Sequence, residues 1–177
     1  MNSTQLSNAL NTGINSFIQN FAPLVLGLLI VVWVISRQLR ARLVTTRMTV
    51  YYVLMALGLF NIVQYSKVHG ASLAFIGNLL LYSLILPPLF GWLRVLTYKY
   101  WLNDKNQVMR KGNLATAALW IIYMAFHLSL DYLTHAPGNI FLLFDIGFSL
   151  FVQRRLAYHN ATKKFPDEIK NNIGAKD

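Results

Sequence analysis

The chain has 177 residues, of which 55% are hydrophobic and only 12% charged, with a mean hydropathy of +0.43. Ordinary soluble domains carry about 25% charged residues, so a water-soluble fold of this composition is excluded as the first reading. Sixteen Lys and Arg against six acids direct attention to anionic lipid headgroups or nucleic acid as partners. The absence of cysteine excludes disulfides, thiol relays, thiolate metal sites and covalent haem attachment within the chain.

The first stretch, MNSTQLSNALNTGINSFIQN, is uncharged and lacks the basic region of a signal peptide. It is read as a retained, translocated tail. Leu6, Leu10, Ile14, Phe17 and Ile18 fall on one helical face, the pattern of an amphipathic lead at the outer interface. A bilayer core takes roughly 20 apolar residues per helix, and five segments approach that length. They run over about 17–36, 49–65, 72–96, 114–130 and 138–158. The second carries Asn61 and Gln64, the third holds a Pro87-Pro88 pair expected to kink it, and the fifth is interrupted by Asp145. Between the third and fourth, Lys99–Leu102 and Gln107–Lys111 flank the turn-forming Asn103–Asn106, which predicts a short cytoplasmic β-hairpin. Residues 1–161 are thus expected to form one all-α, five-helix membrane domain, and 162–177 a polar cytoplasmic tail without fixed structure.

Lys and Arg stay on the cytoplasmic side of spanning segments. With five spans, fifteen of the sixteen basic residues fall on one side and only Lys67 on the other. That split places the N-terminus outside and the C-terminus in the cytoplasm. Arg37, Arg40, Arg42, Arg47, Arg94, Lys99, Arg110, Lys111, Arg154 and Arg155 are then expected to meet anionic headgroups of the inner leaflet, Arg94 by snorkelling. No nucleic-acid motif accompanies the charge, so no nucleic-acid partner is expected.

The order of features resembles the CcdC family of small bacterial membrane proteins over about residues 28–160. The resemblance rests on a first span ending in SRQLRARLVTTR, the hairpin KYWLNDKNQVMRKG, the fourth span ATAALWIIYMAFH and the closing helix FDIGFSLFVQRRLAYH. It implies a multi-pass protein of the bacterial cell membrane with a link to cytochrome c maturation. The chain departs from its relatives at Tyr51-Tyr52, where they begin the second span with proline, and near His127, where they carry arginine.

Polar groups inside a bilayer are unfavourable unless paired, so each marks a candidate site. By this topology Asp145, His127, Asp131, Asn61, Gln64 and Asn78 all lie in the outer half and line a shared cluster if the helices form one bundle. His127, Asp131 and His135 follow four-residue spacing and share a face. A carboxylate beside an imidazole can fix a tautomer, relay a proton or ligate a metal, though interfacial capping explains the same residues. The expected function is non-enzymatic: an accessory subunit, or a small binding or transport module, with a membrane-protein partner or a second copy and no resident cofactor. One alternative is a haem-binding or electron-transfer protein, with His127 as one axial ligand and His69, His135 or a methionine as the other. Another, disfavoured, is an intramembrane enzyme, since no HExxH or nucleophile motif occurs.

Overall fold

The computed structural model describes residues 12, 25, 29, 32–134 and 139–173. Two compact units are distinguished, Met1–Val34 and Ile35–Asp177. In the first, all the described residues are helical; the amphipathic lead and most of the first expected span lie outside the described residues. The second is mostly helical with a small sheet.

Helix α1 (Thr49–His69) ends where Gly70 adopts φ +75 and donates its N–H to Ser66 O, a left-handed stop suited to glycine. Two residues later Ser72 caps α2 (Leu73–Leu79), its hydroxyl accepting from Phe75 N at 3.1 Å. The helix then loosens into a π-helical turn (Leu80–Ile85) before resuming as α3 (Leu86–Leu96). The cause is local. Pro87 and Pro88 offer no N–H to the preceding turn, and Leu86 N reaches back to Leu81 O instead. The expected kink therefore takes the form of one widened turn.

Helix α4 (Leu114–Thr134) opens on a reciprocal cap, in which Asn113 Oδ1 accepts from Thr116 N and Thr116 Oγ1 accepts from Asn113 N. Helix α5 (Asn139–Lys164) is the central post, packed against both α1 and α3, while α4 packs on α3. Two of the helices, Thr49–His69 and Phe75–Leu96, are long and apolar enough to cross a bilayer; Leu114–His127 is a shorter apolar helix. Glycines set the closeness of α1 to α5: a Cβ on Gly58 would stand 2.2 Å from Phe144 N, and one on Gly147 would stand 2.9 Å from Met55 N.

The hairpin forms as expected, with β2 (Lys99–Leu102) antiparallel to β3 (Val108–Lys111). Asn103 Oδ1 ties the turn by accepting from Lys105 N and Gln107 N, and Asn106 takes the left-handed conformation at φ 52. Two features go beyond the sequence reading. A two-residue strand, β1 (Arg42–Leu43), joins β3 to give a three-stranded sheet of order β1-β3-β2. The tail is also ordered as far as it is described. α5 continues to Lys164, and a 3-10 turn (Glu168–Asn172) docks on the sheet. Ile169 joins Val44, Val108 and Ala161 in a small core, and Asn172 clamps two strands, accepting from Val108 N and donating to Val44 O and Val108 O.

Candidate functional site

The chemistry-bearing side chains converge on the inner face of α5. Asp145, Ser149 and Gln153 follow one another at four-residue spacing and all are buried, so they form a polar stripe of about 12 Å along the helix. Each meets a different neighbour.

At the first position, Asp145 is wholly buried and accepts from Ser83 Oγ at 2.9 Å, while its other oxygen lies 3.8 Å from His127 Nδ1. That separation suits an ion pair and is longer than a hydrogen bond. The π-helical turn supplies Ser83 and also Tyr82, whose ring meets the His127 ring edge-on at 4.9 Å and stacks on Phe141. The imidazole is thus held between α4 and the widened turn, with its orientation set by packed aromatics. A carboxylate, an imidazole and a hydroxyl in one water-excluded place can share a proton or bind a small cation. No third His, Cys, Asp or Glu gathers there among the described residues.

At the second position, Ser149 Oγ accepts from Arg94 Nη2 and donates to Pro87 O at 2.8 Å, a use of the widened turn's neighbourhood that the sequence did not announce. Arg94 was expected at the headgroups. It is instead fully buried, bonded through Nε to Phe90 O and lying 3.7 Å over the Trp120 ring. Arg94 sits one turn above the helix end and faces inward, so the indole of α4 takes the place of the membrane surface. Arg94 Nη1 and Tyr123 Oη are buried without a hydrogen-bond partner among the described residues.

At the third position, Gln153 donates to the Tyr98 hydroxyl and accepts from Gln38 Nε2, whose own oxygen accepts from Trp120 Nε1 at 3.1 Å. No family model, curated protein or solved structure matches the chain. Its site is therefore read from these contacts.

Of the expected outer cluster, His127 and Asp145 come together, and Asn78 is buried on α2. Asn61 and Gln64 do not join them; both are exposed on the outer face of α1, because Gly58 and Ile62 take the inward positions of that helix. The Asp131 side chain and His135 lie outside the described residues. Among the expected headgroup contacts, Arg37, Arg40, Arg47, Lys99, Lys111 and Arg155 are exposed, and Arg42 and Arg110 are half-buried. Arg154, like Arg94, is buried and donates to Thr45 Oγ1. Ser83, Ser149 and Gln153 were missed as site residues. For the last two a signal existed, their four-residue spacing from Asp145.

Proposed function

We propose that the chain is a non-enzymatic, five-span protein of the bacterial cell membrane, N-terminus outside and C-terminus cytoplasmic, whose Ser83–His127–Asp145 cluster binds a proton or small cation. In this reading it serves as an accessory subunit or small binding or transport module, bathed in anionic lipid on its cytoplasmic side. The carrying observation is the inverted placement of polarity. Asp145, His127, Arg94, Ser149 and Gln153 are buried, whereas Val53, Leu57, Phe60, Ile121 and Phe126 point outward. Water favours the opposite arrangement, and hydrocarbon favours this one. The split of fifteen basic residues against Lys67 supports the orientation, and the resemblance to the CcdC family agrees with the span order.

The native lack of cysteine makes the topology directly testable by single-cysteine labelling. A cysteine at Lys67 should react with an impermeant maleimide on intact cells, and cysteines at Arg40 and Lys105 should react only after lysis. Labelling of Arg40 and Lys105 from opposite sides would remove the five-span reading. The site is tested by the thermal midpoint of the full chain in lipid nanodiscs between about pH 5 and 8. A pH dependence lost in both Asp145→Asn and His127→Gln supports ion binding. A midpoint flat with pH in the unaltered chain leaves the cluster with a packing role alone.

A further inference from the structure

The outward face of the sheet carries a second, independent constellation. On β2, Tyr100 and Leu102 pack into the small core with Val108 and Ile169, so strand alternation turns Lys99 and Trp101 to the opposite face. The register then places Lys111 directly across from Lys99, Met109 across from Trp101, and Leu43 of β1 across from Met109. One row of this face is therefore doubly cationic. The adjoining row, Leu43–Met109–Trp101, is apolar across all three strands. Like charges paired directly across a ladder destabilise it unless something anionic lies between them. No carboxylate pairs with either lysine among the described residues.

The two lysines open onto a cleft of about 480 Å³, completed by Trp101, Leu39, Gly112, Asn113 and Leu114. That volume falls within the ~300–1,000 Å³ of small-ligand sites. The cleft lies where α3 has ended and α4 begins, beside the exposed apolar side chains of Leu96 and Leu114. Cation above, aromatic at the rim and aliphatic wall below match the layers of a phospholipid at an interface.

We infer that this cleft holds one anionic phospholipid of the inner leaflet, its phosphate between Lys99 and Lys111 and its upper acyl chain against Trp101, Leu39 and Leu114. The inference rests on the membrane reading above and adds to it a discrete lipid site, in place of a diffuse basic surface. Each lysine contributes roughly a fivefold preference for a net-anionic lipid.

The test uses the full chain in phosphatidylcholine nanodiscs containing brominated phosphatidylglycerol or brominated phosphatidylcholine at equal mole fraction. Trp101 fluorescence is isolated as the difference between the native chain and Trp101→Phe. Phosphatidylglycerol is expected to quench Trp101 several-fold more strongly, and Lys99→Gln with Lys111→Gln is expected to equalise the two lipids while leaving the tryptophan quenchable. Equal quenching in the native chain, or a preference that survives in the double variant, overturns the lipid site and leaves the membrane reading standing. Relief of quenching by millimolar inorganic phosphate also overturns it, in favour of a free-phosphate site. A chain that fails to enter nanodiscs overturns the membrane reading and the lipid site together.

Discussion

Replacing Gly58 with alanine isolates the contact on which the α1–α5 packing depends. The added Cβ would lie 2.2 Å from Phe144 N and 2.5 Å from its Cα, backbone atoms in mid-helix that no rotamer change can move. Restoring ordinary contact at 3.4 Å separates the two helices by about 1.2 Å. A radial gap of about 0.5–1 Å already forfeits a quarter to a half of each dispersion contact, and the loss extends along the seam to Ile62 against Phe141 and Tyr52 against Phe151. Overpacking of this kind costs about 1–3 kcal/mol. Alanine's helix propensity returns up to ~1 kcal/mol, so a net loss near 2 kcal/mol is expected. At about 2–4 °C per kcal/mol, the midpoint of helix loss, followed by circular dichroism on the full chain in nanodiscs, should fall by roughly 4–8 °C. Gly77→Ala is the control, because nothing lies within 4 Å of its added Cβ and only the propensity gain remains. A Gly58→Ala midpoint equal to the native one, or a Gly77→Ala midpoint that drops as far, would refute the close-packed seam.

Three further outcomes follow from the geometry. Arg94→Ala removes the guanidinium from Trp120 and from Ser149 and opens a void between α3 and α4; the stacking alone is worth about 2 kcal/mol when desolvated, so a lower midpoint and altered Trp120 emission are expected, whereas an unchanged midpoint would argue for a surface arginine. Asn172→Ala leaves Val108 N and Val44 O buried without their side-chain partner, at about 1–3 kcal/mol for each group; hydrogen exchange at the Val108 amide should quicken while the bundle's amides hold, and equal quickening in both would disprove a local clamp. Burial raises the Tyr100 phenol above its usual range, outweighing the nearby Arg110, and its hydroxyl has no hydrogen-bond partner among the described residues. Because the folded value lies above the unfolded one, this contribution is intact below about pH 10 and is lost as pH rises beyond it. Tyr100→Phe should therefore match or exceed native stability at neutral pH and flatten the alkaline loss, and a variant less stable at neutral pH would contradict the burial argument.

The elements of the fold were legible wherever one local signal sufficed. Apolar length marked the helices, the Asn103–Asn106 turn chemistry marked the hairpin, and Pro87-Pro88 marked the irregular turn. What escaped was set by distant partners. A two-residue strand such as Arg42–Leu43 has no periodicity to read, and its pairing depends on β3, far along the chain. The tail looked polar and unstructured because its single anchoring contacts, Ile169 and Asn172, are spread among charged neighbours. Within the site, Asp145 and His127 stood out because ionisable groups are rare in apolar helices. Arg94 misled, since its place near a helix end is equally compatible with a headgroup and with an inward indole. Asn61 and Gln64 misled in the other direction, because depth along a helix says nothing about the side from which a residue projects.

The widened turn in the third span has one more consequence. Tyr82 and Pro87, five residues apart, are both buried, so the turn absorbs an additional residue without rotating the rest of the helix away from its neighbours. Deleting a single residue there, such as Leu84, would yield a smoother helix and turn everything downstream by about 100°. Ser83 could then keep its carboxylate or Arg94 its serine, but the two halves of the rod could no longer be in phase. The irregularity is thus the splice that lets one helix serve two chemically distinct levels of the same post.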